Sequence, residues 1–323
     1  MKPKVFVTRP LPASALELLS STCEVRSYAE DAAIPTSQLA EECCDIEGIL
    51  VNSARLSEEV LLAAPRLRAV SNCGVGYDNI DVAACNRRRI PITNTAGSLE
   101  ETTADLAFML LLATARRAIE ADRYVREGRW ERWQWGLLHG MDVHHKTLGV
   151  VGFGGIGQAV ARRGRGFSMR ILYCARRPAA ESVERELHAV HADLETLLRE
   201  SDYVSLHVPL TPETRHIIDG KALRLMKSNA ILVNTARGSV VDEEALAEAL
   251  GSRKIAGAGL DVFESEPRVN SNLIKLDNVV LAPHIGSATG ETRLRMATLA
   301  VKNLLAMLAG ERPANVVNPE IYS

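Results

Sequence analysis

The chain lacks any hydrophobic run that could cross a bilayer. The longest apolar stretch, Leu106 to Ala115, is stopped by Asp105 and Arg116 and falls well short of the ~20 residues of a spanning helix. It also lacks an excess of charge of either sign. Lys and Arg number 38 against 40 Asp and Glu, for a net charge of -2, so there is no general basic surface to draw in nucleic acid. No secretory leader is expected, because Met1-Lys2-Pro3 runs straight into a strand-like Lys4–Val7. The six cysteines (Cys23, Cys43, Cys44, Cys73, Cys85, Cys174) form no C-x-x-C pair and no His/Cys metal spacing. A disulfide scaffold and a zinc module are thereby excluded, and buried thiols in a reducing compartment remain. Aromatic residues are scarce at 4%, yet all three tryptophans, Trp130, Trp133 and Trp135, fall in one short segment. Such a segment reads as a hydrophobic plug or as an interface. The expectation is a cytoplasmic protein that binds no membrane, nucleic acid or metal.

With 323 residues, the chain is long enough for about two domains of ~150 residues. Short apolar runs alternate with helical patterns from the start. Strands are expected at Lys4–Val7, Glu24–Ser27, Gly48–Val51, Ala69–Asn72 and Ile90–Thr93, with helices between them. Ser98-Leu99-Glu100-Glu101 has the form of a capping box opening a long helix to about Ile119, and a second helical stretch is expected to follow to Arg126. A second series follows from Thr147. Its strands are Leu148–Gly152, Arg170–Cys174, Tyr203–His207, Ala230–Asn234, Gly257–Asp261 and Val279–Ala282. Strand–helix alternation of this kind implies parallel sheets with right-handed crossovers. The fold class is therefore α/β, with two doubly wound domains.

Gly152-Phe153-Gly154-Gly155-Ile156-Gly157 fits G-x-G-x-x-G and lies between an apolar strand and a helix. In that context the glycines allow a tight turn, close approach of a pyrophosphate and close helix–strand packing. Dinucleotide binding at Gly152, Gly154, Gly155, Ile156 and Gly157 follows. The next strand ends in Ala175-Arg176-Arg177 rather than in an acid. An acid there would bind the ribose diol, whereas two guanidiniums favour a 2′-phosphate. NADP(H) is expected in preference to NAD(H).

Arg237, Glu266 and His284 sit at or just past strand ends of the second series, where ligands bind in open α/β sheets. Taken singly, each has a structural explanation. Together with their surroundings they form a pattern. Gly74-Val75-Gly76-Tyr77-Asp78-Asn79-Ile80-Asp81, the glycine motif, Asn234-Thr235-Ala236-Arg237-Gly238, Gly259-Leu260-Asp261-Val262-Phe263-Glu264 with Glu266-Pro267, and Pro283-His284-Ile285-Gly286 occur in that order. From about Asn72 to Leu308 the chain resembles the D-isomer-specific 2-hydroxyacid dehydrogenases, and within them the glyoxylate/hydroxypyruvate reductases.

The resemblance implies a Rossmann cofactor domain (98–288) inserted into a flavodoxin-like substrate domain (1–97 with 289–323), and a cleft that closes on its ligands. It implies reduction of a small 2-oxo acid by hydride transfer, with His284 as general acid, Glu266 orienting its ring, and Arg237 holding carboxylate and carbonyl. Substrate contacts would come from Asn52, the N–H groups of Val75 and Gly76, Leu99 and Trp133. Trp133 aligns with a tryptophan lent across a homodimer, whose interface would involve residues 98–145. Cofactor contacts would add Thr103, His207, Val208, Pro209, Thr214, Thr235, Ala236, Asp261, His284 and Gly286. Gly155 departs from the family pattern, in which many relatives have arginine. With the sequence ending at Ser323, the regulatory domain of many phosphoglycerate dehydrogenases is not expected. Phosphoglycerate, D-lactate and phosphite dehydrogenases, and a dinucleotide-sensing corepressor, are the alternatives.

Overall fold

The structure is a computed structural model that describes residues 1–322. Its strands are β1 (Lys4–Val7), β2 (Glu24–Ser27), β3 (Gly48–Val51), β4 (Ala69–Asn72), β5 (Ile92–Thr93), β6 (Thr147–Val151), β7 (Arg170–Cys174), β8 (Ala189–His191), β9 (Tyr203–Leu206), β10 (Ile231–Asn234), β11 (Gly257–Leu260) and β12 (Val279–Leu281). The helices are α1 (Ala13–Thr22), α2 (Thr36–Glu42), α3 (Glu58–Ala63), α4 (Val82–Arg87), α5 (Glu100–Ala115), α6 (Ala118–Arg126), α7 (Gly155–Gly166), α8 (Glu181–Leu187), α9 (Leu194–Glu200), α10 (Gly220–Leu225), α11 (Glu243–Gly251), α12 (Ser271–Ile274) and α13 (Gly290–Leu308). The chain divides into two compact units, one of residues Met1–Leu99 with the segment from Ala288 onward, the other of Glu100–Ser287. Ser323, the last residue of the expected return segment, lies outside the described residues.

The first unit is a parallel sheet in the order β2-β1-β3-β4-β5, a flavodoxin-like order. The strands β3 and β4 are buried throughout, as parallel strands covered on both faces must be. Helix α13 seals one face: Ser71 Oγ donates to the Ala300 carbonyl at 2.8 Å, and Arg68 Nη1 to that of Leu308 at 2.8 Å. The other face carries the core of Phe6, Ile49, Val51, Val70 and Ile92 with residues of α2, α3 and α4.

The second unit is a seven-stranded sheet in the order β12-β11-β10-β9-β6-β7-β8, with every pair parallel. Alternate residues of a strand face opposite sides, so Leu232 enters one core while Ile231 and Val233 enter the other. The order reverses between β6 and β9, a switch point at which such sheets open a crevice beyond their carboxyl ends.

Several local elements differ from the sequence expectation. The long helix stops at Ala115, because Arg117 adopts a left-handed φ of 52° and the chain restarts as α6. The Ser98 hydroxyl donates to the Thr95 carbonyl at 2.6 Å, closing a turn before the helix. Strand β8 and helix α8 were not expected. The three residues of β8 are too short for a periodic signal. The strand exists because it pairs with β7.

Candidate active site

Six strand ends of the second unit carry the candidate residues. Gly152 follows β6, Ala175 follows β7, His207 follows β9, Thr235 follows β10, Asp261 follows β11, and His284 stands just beyond β12. The shared direction of parallel strands gathers these sequence-distant positions at one edge of the sheet.

Close backbone packing explains the glycine motif. Gly152 has φ +92°, and a Cβ there would lie 2.5 Å from the His207 carbonyl oxygen and 2.8 Å from the Val208 nitrogen. A Cβ on Gly157 would lie 2.1 Å from the Gly152 carbonyl oxygen. These positions admit only glycine. Gly154, by contrast, faces open space. It stands at the N-cap of α7, a helix with no side-chain cap and no acid in its first turn. An uncapped helix start behind an open glycine suits an anion, because its free N–H groups and dipole both favour one. The Thr235 hydroxyl and His207 Nδ1 are buried polar atoms without a protein partner among the described residues. These features fit a dinucleotide. Gly155 packs against Glu100, where a Cβ would meet Cγ at 2.8 Å, so any larger side chain at this position would have to displace that of Glu100. Gly152→Ala is expected to destabilise the protein by about 1–3 kcal/mol, from left-handed strain plus the clash with His207. Denaturant unfolding measures this, and an unchanged midpoint would contradict the packing argument.

Asp261 is buried and accepts from the N–H groups of Ile285 at 2.7 Å and Gly286 at 2.8 Å. Burial pushes its carboxyl above the ordinary carboxylate value, although both amides and His284 oppose this. A Cβ on Gly286 would lie 3.2 Å from Asp261 Oδ2 and 3.4 Å from Thr103 Cγ2, so Thr103, Asp261 and Gly286 converge. Asp261 also locks the next segment, since its carbonyl accepts from the His284 N–H at 2.8 Å. His284 itself is held at φ 54°, a conformation that a non-glycine residue keeps only when its surroundings impose it.

The His284 side chain meets Glu266, with Nδ1 to Oε2 at 2.7 Å. The other Glu266 oxygen accepts from the Phe263 N–H at 3.0 Å. Burial alone would raise the Glu266 carboxyl. The His284 hydrogen bond and charge, the Phe263 amide and Arg237 outweigh it and hold the group below the usual carboxylate range. Glu266 is thus an ionised acceptor, Nδ1 carries the proton of the shared bond, and Nε2 is the ring nitrogen that Glu266 does not engage. Sign fixes the pH dependence. A carboxylate whose folded value is depressed stabilises the native state above its unfolded value of ~4.3, and that contribution is lost as pH falls through the lower folded value. The stability gap between the native protein and Glu266→Gln is therefore expected to be constant above about pH 5 and to close towards about pH 3. Thermal melts across that range test it, and a gap that widens on acidification would overturn the ion-pair account.

Arg237 follows β10 on a braced turn. Asn234 Nδ2 donates to the Arg237 carbonyl at 2.9 Å, Ala236 N–H donates to Asn234 Oδ1 at 3.0 Å, and Arg237 Nη1 donates to the Ala236 carbonyl at 2.8 Å. The Gly238 backbone lies so close to Phe263 that a Cβ would fall 1.9 Å from its carbonyl carbon, which couples the Arg237 turn to the Glu266 loop.

Thr214 spends its hydroxyl on its own loop, donating to the Pro209 carbonyl at 2.6 Å and accepting from Thr211 N–H at 2.8 Å. It shapes the His207-Val208-Pro209 segment. Trp133 is 72% exposed, and its ring contact is an edge-on pairing with Trp135 at 6.0 Å. Asn52, Val75, Gly76 and Leu99 belong to the first unit. There the Asn52 N–H donates to Thr8 Oγ1 at 2.8 Å, and Leu99 is buried. Sequence reasoning missed Asn72 and Asn94. Asn72 Nδ2 donates to the carbonyls of Gly74 and Gly76 at 3.0 and 2.8 Å, and Asn94 Nδ2 to that of Val75 at 3.0 Å. With its carbonyls tied down, the loop keeps the Val75 and Gly76 N–H groups without a partner among the described residues. An asparagine ending a strand ahead of two glycines was the available signal.

Residues 108–286 match the D-isomer specific 2-hydroxyacid dehydrogenase, NAD binding domain family. The chain belongs to the D-isomer-specific 2-hydroxyacid dehydrogenases. Similarity to this family spans the full length. A glyoxylate reductase of Thermococcus litoralis is 49% identical, with 100% of this chain and 99% of the relative covered. One from Thermococcus kodakarensis is 53% identical, with 99% and 98% covered. Among solved structures, an NADPH-dependent glyoxylate/hydroxypyruvate reductase from Sinorhizobium meliloti, in complex with NADP and malonate, superimposes with a TM-score of 0.89 at 34% identity, covering 98% of this chain and 97% of that one. The family makes the protein an oxidoreductase that uses a nicotinamide dinucleotide.

Proposed function

We propose that this enzyme reduces glyoxylate and hydroxypyruvate to 2-hydroxy acids, with NADPH preferred over NADH. The observation that carries the chemistry is the His284 Nδ1–Glu266 Oε2 bond of 2.7 Å, which leaves Nε2 as a proton donor held at a fixed angle. The bound dinucleotide supplies a hydride. Arg237 binds the carboxylate and carbonyl oxygen of the 2-oxo acid with its planar fork, favouring the charge that grows on that oxygen. His284 Nε2 delivers the proton to the same oxygen, and the Glu266 carboxylate stabilises the imidazolium from which it comes. In the reverse direction neutral Nε2 accepts the proton. On the first unit, the Val75 and Gly76 N–H groups are donors of the kind a carboxylate needs. Trp133 is assigned to a partner's substrate pocket in a homodimer formed through residues 98–145, and its exposure agrees with that role.

The cofactor preference rests on the end of β7. Ala175 stands where an acid would repel a 2′-phosphate. Arg176 and Arg177 are exposed and form no ion pair or hydrogen bond among the described residues. Glu213 is the acid whose charge senses Arg176. Changing both arginines to alanine is expected to weaken NADPH about 10²-fold and NADH by less than threefold, the loss of two charge-assisted contacts. Equal effects on both cofactors would remove the 2′-phosphate argument.

The test of the whole reading is the oxidation of NADPH and NADH, followed by nicotinamide absorbance, with glyoxylate, hydroxypyruvate, pyruvate and 3-phosphohydroxypyruvate. Fast turnover of the first two with NADPH is expected. Preference for 3-phosphohydroxypyruvate would instead move the substrate to the phosphorylated class.

A further inference from the structure

Arg176 and Arg177 stand on a segment whose two ends are fastened from below. Tyr173, the fourth residue of β7, is fully buried, yet its hydroxyl is doubly bonded. It accepts from the Ala179 N–H at 2.8 Å and donates to Glu184 Oε1 of α8 at 2.5 Å. Burial first, and then Glu184, pushes the phenol upward, so the O–H remains the donor at neutral pH. Its ring stacks on Phe153, inside the glycine motif, at 4.0 Å and 19°. At the other end, His191 Nε2 lies 3.1 Å from the Ala175 carbonyl. A carbonyl only accepts, so Nε2 carries the proton. The His191 ring also rests against Tyr173 at 5.1 Å. Strand β8 exists in the right place to bring His191 there, paired to Tyr173 itself.

We infer that Tyr173, Glu184 and His191 are positioning residues for dinucleotide specificity, pinning Ala175 and Ala179 so that Arg176 and Arg177 are presented to the 2′-phosphate on an already ordered segment. This inference rests on the NADPH reading given above. Ordering a free loop at binding would subtract from affinity, and a preformed loop avoids that loss. The loss falls on the cofactor that uses the arginines. NADH, which lacks the 2′-phosphate, gains nothing from their placement. The bonds at both ends involve the backbone of the segment rather than the arginines, so they leave the guanidinium groups open.

Calorimetric titration of the purified enzyme with NADPH and NADH tests this without reference to turnover. Tyr173→Phe keeps the ring and its stack on Phe153 and removes only the hydroxyl. It is expected to raise the NADPH Kd about tenfold and the NADH Kd less than twofold, as the loss of preorganisation predicts. Glu184→Gln, which disturbs the same hydroxyl from the other side, is expected to move the ratio in the same direction. In the Arg176→Ala/Arg177→Ala background, Tyr173→Phe should have almost no further effect on NADPH, because the groups it positions are gone. Should Tyr173→Phe and Glu184→Gln weaken both cofactors by one factor, or leave the ratio unchanged, the positioning role is wrong. If the native enzyme prefers NADPH and the double arginine variant loses that preference, the cofactor reading survives such a failure. A native enzyme that binds NADH as tightly as NADPH overturns both.

Discussion

Replacing His284 with alanine is expected to lower kcat for glyoxylate reduction by a factor on the order of 10² to 10⁴, the usual worth of a positioned general acid. The site is built around one ring nitrogen. Glu266 accepts from Nδ1 at 2.7 Å, and its second oxygen is fixed by the Phe263 amide at 3.0 Å, so the carboxylate cannot turn away. Asp261 fixes the backbone on the other side by taking the N–H groups of His284, Ile285 and Gly286 on its carbonyl and carboxylate. The imidazole is therefore held in position and orientation before any substrate arrives. Alanine removes the proposed proton donor and leaves the Asp261 and Phe263 contacts of the frame standing. The variant should stay folded but melt at a lower temperature, because Glu266 loses the partner that offsets its burial, and the melting curve separates that loss from the loss of kcat. Steady-state kinetics with a melting curve on the same sample provides the check, and near-native kcat in a folded variant would end the role of His284.

Arg237→Lys is expected to lower kcat/KM for the 2-oxo acid by about 10² to 10³, comparable to losing one donor of an oxyanion site. A charge-conserving exchange is damaging here for geometric reasons. The guanidinium donates to the Ala236 carbonyl through Nη1 at 2.8 Å, and the turn that carries it is braced by Asn234. A plane anchored in this way can present parallel N–H groups to a carboxylate and its adjacent carbonyl. An ammonium is a point charge with no fork, and it cannot hold both oxygens in one geometry. The dinucleotide Kd should stay within a few-fold of native, because the glycine turn and the β7 segment are untouched. Equal kcat/KM for the two proteins would show that charge alone is what Arg237 supplies.

Much of this enzyme was legible before its structure. Short apolar runs in a strand–helix alternation, with Gly152-Phe153-Gly154-Gly155-Ile156-Gly157 opening the second series, pointed to two parallel α/β sheets and a dinucleotide site. The residue types at 237, 266 and 284, set among their motifs, identified a family whose chemistry they can perform. These features are local: a glycine permits a turn and a strand alternates whatever lies elsewhere. Other features had no local signature. The length of α5 was decided by a left-handed Arg117, and β8 by its pairing with β7. Asn72 and Asn94 acquire a purpose only when the loop they tie is folded over them. Tyr173 reads as one more core aromatic until Ala179, Glu184 and His191 are brought to it. The sequence by itself determined which groups the protein possesses and the class of reaction they belong to. Which nitrogen of His284 faces Glu266, and which hydroxyl lies beneath Arg176 and Arg177, were decided by tertiary structure alone. Hydrogen bonds depend on distances of a few tenths of an ångström between residues far apart in the chain, and only packing fixes those distances.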